Sequence, residues 1–84
     1  MRVSEFEDLF GHVVRWTRPE ATRLELVLQP AVEAASRDLA RRESECCSFF
    51  DFGFASADDN VVMSIGVPAE QIAVLDAIEA RVTR

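Results

Sequence analysis

Twice along this chain a run of apolar residues at alternate positions ends on a proline. Leu24, Leu26 and Leu28 lead to Pro30, and Val61, Met63, Ile65 and Val67 lead to Pro68. A period of two is the spacing of a strand with one buried face, whereas proline suits the first turn of a helix, where its missing N–H costs nothing. Each run is therefore a strand that hands over to a helix. Each strand also has an upstream partner. The β-branched and aromatic stretch Val13-Val14-Arg15-Trp16-Thr17 predicts a strand over about residues 12–17, with Arg18-Pro19-Glu20-Ala21 as the turn that leads back. Phe50, Phe52 and Phe54 alternate as core positions toward Ala57-Asp58-Asp59-Asn60, whose turn chemistry predicts a second hairpin.

Three helices complete the pattern. Ser4 and Glu7 have the spacing of a capping box, and Phe6, Leu9, Phe10 and Val13 follow at helical intervals, so a short first helix is expected to start at Ser4. From Pro30, a stripe of Val32, Ala35, Ser36, Leu39, Glu43, Cys46 and Cys47 predicts a helix running to about Cys47. The opposite face carries Glu33/Arg37, Asp38/Arg42 and Arg41/Glu45 four residues apart, the arrangement of a solvated surface. Beyond Pro68, Ile72, Leu75, Ile78 and Val82 mark one side of a last helix. The expected order is αββαββα, an α+β domain with a four-stranded antiparallel sheet and helices packed on one face. Its 84 residues make a single domain, burying about 60% of the surface of the unfolded chain. A duplicated ββα unit suggests itself. Aligning the two prolines, 68 − 30 = 38 residues apart, sets Leu26 against Ser64 and exchanges inward for outward positions, which argues against a close repeat.

Charge excludes one class of partner. Nine basic residues, all arginine, face fifteen acidic ones, and a net charge of −6 opposes binding to a phosphate backbone, so no nucleic-acid partner is expected. No segment approaches the roughly 18 apolar residues of a membrane span, and the acidic start of the chain lacks a signal-peptide core. The expectation is a cytoplasmic protein without a membrane partner.

One segment carries chemical information: Glu43-Ser44-Glu45-Cys46-Cys47-Ser48-Phe49-Phe50. At about 100° per residue, Cys46 and Cys47 fall roughly 60° and 40° to either side of Glu43, so a carboxylate sits between two thiols on the side facing the sheet. Adjacent cysteines cross-link no distant segments and are no structural staple. At a helix C-terminus beside Glu43, Glu45 and Asp51, a free thiolate is disfavoured, but a metal ion supplies the missing positive charge. Two thiolates suit a soft ion such as mercury(II), copper(I) or arsenic(III). Zinc is less well served, because structural zinc takes four ligands and only His12 and carboxylates remain to complete the set. The metal-ligating candidates are thus Cys46, Cys47 and Glu43, in a protein that takes up a soft metal or metalloid and passes it to a thiol-bearing partner protein. Two alternatives use the same residues differently: a small thiol redox protein or enzyme, or a homodimeric interaction or regulatory module with structural cysteines. His12 has no His or Cys partner at ligand spacing and reads as a structural or surface imidazole. Phe49, out of phase with Phe50, Phe52 and Phe54, is a candidate to line a pocket or partner surface, as is Trp16.

The pattern Glu43-x-x-Cys46-Cys47-x-Phe49-Phe50-x-Phe52, after an Arg-rich helix and before a hairpin and a Pro-started helix, resembles a group of small, largely uncharacterised bacterial proteins associated with heavy-metal (mercury and arsenic) resistance. The resemblance runs from about Leu24 onward, and its specific part is the Glu/Cys-Cys/Phe segment. It implies thiol-based handling of mercury or a related ion by Cys46 and Cys47, with Glu43 as the accompanying acid. The chain lacks the Cys-x-x-Cys and Met-rich loop of better-understood metal carriers.

Overall fold

The computed structural model describes residues 3–83. Helix α1 (Val3–Phe10) leads into the hairpin β1 (Val13–Glu20) and β2 (Arg23–Leu28); helix α2 (Glu33–Cys46) precedes β3 (Asp51–Ala57) and β4 (Asn60–Gly66), and helix α3 (Ile72–Val82) follows. A single 3₁₀ turn, Pro30–Val32 or Ala69–Gln71, introduces each of the last two helices. The αββαββα order is as the alternation and the prolines indicate. All pairings are antiparallel and the sheet order is β1-β2-β4-β3.

Leu24, Leu26 and Leu28 pair across the centre of the sheet with Ile65, Met63 and Val61, and all six are buried. This apolar layer carries the helices: α2 packs on β3, α3 on β2, and α1 touches both α2 and α3. Phe6, Leu9, Leu39, Leu75 and Ile78 close the core from the helical side. On the other face of the sheet Arg23 donates to Ser64 Oγ at 2.6 Å, and Arg15, Thr17 and Glu25 share that polar side.

Four details depart from the sequence reading. Helix α1 is already helical at Val3, which puts Ser4 within the helix and not at its cap, and Glu7 pairs with Arg81 of α3. Strand β1 continues through Pro19 to Glu20, and the turn is Ala21–Thr22. An edge strand tolerates proline because one row of its N–H groups points to solvent, and the register is irregular between Thr17 and Glu20. Arg18 holds this end in place, donating to the carbonyls of Glu20 and Ala21 and to Asp76 and Glu79 of α3. On α2, Ala40 is buried instead of Ala35. Phe52 and Phe54 are only half-buried, because β3 is the second edge, whereas Phe50 just before it is fully in the core. The β3–β4 turn is as expected: Asp58 and Asp59 have φ of 51° and 68°, the left-handed pair that a two-residue hairpin requires.

The repeat is closer than the proline alignment indicates. Leu24, Leu26 and Leu28 correspond to Val61, Met63 and Ile65 at an offset of 61 − 24 = 37, which preserves which face each residue occupies. The helices follow at an offset of 72 − 33 = 39, so the second unit has two more residues than the first between the aligned strand positions and the helix, one in the strand and one in the connection. The Leu26–Met63 pair maps onto itself under this relation, which places a local twofold axis between β2 and β4.

Candidate metal centre

Glu43 lies one turn before the end of α2 and is fully buried, although it is ionisable. The repeat sets it against 43 + 39 = 82, and Val82 packs against the core. A carboxyl therefore occupies a position where the same architecture elsewhere uses an apolar side chain. Burying such a group is expensive unless its surroundings offset the lost hydration, which makes its neighbours the point of interest.

The backbone brings the two thiols to it. Cys46 is the last residue of α2. Cys47 caps the helix, its N–H donating to the Glu43 carbonyl at 2.7 Å, and then leaves the helical path with φ −130° and ψ 88°. Phe50 N–H donates to the Cys47 carbonyl at 3.2 Å and fixes the exit toward β3. The rings of Phe49 and Phe50 lie 4.7 Å apart and those of Phe50 and Phe52 5.1 Å apart, forming an aromatic wall beside this exit. Two adjacent residues on one regular helix would diverge by about 100°. Because Cys47 turns off the helix, one carboxylate oxygen of Glu43 and both sulfurs lie within 4.8 Å of one another. Among the described residues this is the one group of three or more His, Cys, Asp or Glu side chains so arranged.

Exposure grades across the three candidate side chains. Glu43 is buried, Cys47 is half-buried and Cys46 is exposed, and both cysteines are free thiols. The Cys47 thiol is held above its ordinary pKa, first by its hydrogen bond with Cys46, then by burial, with the charges of Cys46 and Glu43 adding to it. A thiol so placed is a poor resting nucleophile. The C-terminal end of a helix carries partial negative charge, and α2 has no basic residue in its last turn. Arg41 is engaged by Asp38 and Glu45, and Arg42 by Asp38 and Glu5, so these guanidinium groups are committed on the outer side and toward α1. The site thus combines two sulfurs, a carboxylate and a helix C-terminus, a donor set compatible with a metal ion.

His12 is not part of this cluster. Its Nδ1 shares a hydrogen bond of 2.8 Å with Gln29 Oε1, and its backbone bonds to Leu9 and Gln29 tie α1 to the start of β1. It borders a cavity of about 300 Å³ between α1 and α2, whose polar rim includes the Arg42–Glu5 pair. Phe49 lines a shallow depression with Glu20, Asp51 and Pro68, whereas Trp16 packs against the core. Arg18, which sequence reasoning assigned to a turn, is the main polar link between the sheet edge and α3; its spacing alone carried no such signal. No described helix is long and apolar enough to cross a membrane. No protein-family model, curated protein or solved structure matches the chain.

Proposed function

We propose that this protein binds a soft metal or metalloid ion, mercury(II) or an ion of similar chemistry, through the Cys46 and Cys47 sulfurs with Glu43 as the accompanying acid. The observation that carries this reading is the convergence of the three ligand atoms within 4.8 Å around a buried carboxyl. The donor set narrows the ion. Thiolates favour soft ions over calcium or magnesium, and three ligands fall short of the four that structural zinc takes. The raised thiol of Cys47 and the C-terminal position favour a metal ligand over a redox nucleophile, because a bound cation deprotonates its own ligands whereas a nucleophile must be ionised beforehand. Copper(I) and arsenic(III) belong to the same class of candidate. The resemblance to heavy-metal resistance proteins agrees with this reading, and we take the setting to be cytoplasmic, where thiols stay reduced. A thiol-bearing partner would receive the ion.

Mercury(II) titration tests this directly. The sulfur-to-metal charge-transfer absorption should rise linearly and stop at one equivalent per chain, and intact-mass measurement should show one ion in place of two thiol protons. Equal affinity in Cys47→Ser would eliminate the chelate, since only one sulfur would remain.

A further inference from the structure

Resting on the soft-metal reading, we infer that the ion reaches this site already bound to thiols and is taken over in a fixed order, Cys46 first and Cys47 second. The two sulfurs are neighbours in sequence but not in access: Cys46 is exposed on the last turn of α2, and Cys47 is half-buried beside the Phe49–Phe50 wall. A thiophilic ion in a thiol-containing solution travels with thiolates attached, so the first protein sulfur must reach it past its carriers. Of the two, the exposed Cys46 has the more open approach. Thiol exchange proceeds by attack of one sulfur as another leaves, and access governs its rate.

The bond changes balance at each step without oxidation or reduction. In the first, a bond forms between Cys46 Sγ and the metal, one carrier-sulfur bond to the metal breaks, and the Cys46 thiol proton goes, through solvent, to the departing thiolate. In the second, Cys47 Sγ replaces the remaining carrier in the same way, and a second carrier thiol is released. The second step is intramolecular, since the sulfurs already lie within 4.8 Å, and proximity of that kind raises the effective concentration far above that of free carriers. The partner class follows: donors are monothiol complexes of a two-coordinate ion, and release runs in reverse, with an incoming thiol displacing Cys47 first and a second one displacing Cys46.

Stopped-flow mixing with the mercury(II) complex of two glutathione molecules tests the order. Wild-type protein should capture the ion and release both glutathiones. Cys47→Ser should capture at a rate within about twofold of wild type but halt at a mixed complex, seen by mass as protein plus mercury plus one glutathione. Cys46→Ser should capture at least about tenfold more slowly, and Cys46→Ala likewise, with unchanged circular dichroism confirming that both variants are folded. Equal slowing in the two serine variants, or a greater effect in Cys47→Ser, overturns the order while leaving the metal site standing. Failure of the wild type to take mercury from glutathione or from the aquo ion removes both the site and the order; capture from the aquo ion alone overturns only the thiol-borne route.

Discussion

At position 43 the first unit buries a carboxyl where Val82 fills the equivalent place in the second unit. The stripe Val32, Ser36, Leu39 already drew attention to Glu43 in the sequence, because a charge among apolar neighbours requires a reason. What periodicity left out was the path of Cys47. The assumption of a regular helix through residue 47 placed the thiols on either side of Glu43, whereas the extended backbone of Cys47 draws them together and leaves Cys46 exposed. Helix ends are set by local hydrogen bonds, here Cys47 N–H to Glu43 and Phe50 N–H to Cys47, which no residue pattern announces. Glu43→Gln tests the carboxyl itself. Its charge adds to the raised thiol of Cys47, so the neutral amide should shift the pH midpoint of Cys47 alkylation downward and change the pH dependence of mercury uptake. Glu45→Gln, exposed and paired with Arg41, is the control and should leave both properties nearly unchanged. Matching behaviour of the two variants would remove Glu43 from the site.

Among the elements, the strands, the prolines and the turn Asp58-Asp59 were legible because each depends on short-range pattern. The far end of β1 was not. Pro19 reads as a turn residue until the strand is known to be an edge, and edge position is a property of the whole sheet. Arg18 then acquires two carboxylates, Asp76 and Glu79, each at 2.8 Å, from a helix almost sixty residues later. Its side chain is only 17% exposed, which sets it apart from the open pairs on α2. Arg18→Ala should therefore cost about 1–2 kcal/mol, after allowing for the exposure of Asp76. Thermal unfolding should show this as a midpoint lower by about 5–15 °C. A change within a degree or two would class the bridge with ordinary surface pairs.

The outer face of α2 makes a different prediction. All three expected i,i+4 pairs form at 3.0 Å, and the hydrogen bond from Arg41, with the charges of Arg42 and Arg41, holds Asp38 below its ordinary 3.8. A depressed folded pKa means that the contribution is fully present above the unfolded value and is lost as pH falls through the folded one. The difference in thermal midpoint between wild type and Asp38→Asn should thus stay constant from neutral pH toward 3.8 and close below it. It should also shrink in about 1 M salt, because these groups are solvent-exposed. A difference that persists in strong acid would assign the effect of Asp38 to something other than its charge.

For the molecule as a whole, the local twofold axis explains how 84 residues assemble a core: two ββα units place their central strands side by side and share one apolar layer. The candidate metal centre is an addition at the end of one unit, and its two sulfurs are consecutive in the chain. That adjacency limits how far metal can stabilise the fold. A ligand stabilises the native state only by the excess of its affinity for native over unfolded chains, and the unfolded chain keeps Cys46 beside Cys47. Only Glu43, the aromatic wall and the negative end of α2 distinguish the folded site from the same two thiols on a random coil. One equivalent of mercury(II) should consequently raise the unfolding midpoint by no more than about 8 °C, the equivalent of about 1 kcal/mol in a domain of this size, however tightly it binds. Glu43→Gln should reduce that increment further while the one-to-one stoichiometry holds. A rise of tens of degrees would require a ligand distant in sequence, with His12 the first to examine by substitution, and the three-residue site would then be incomplete.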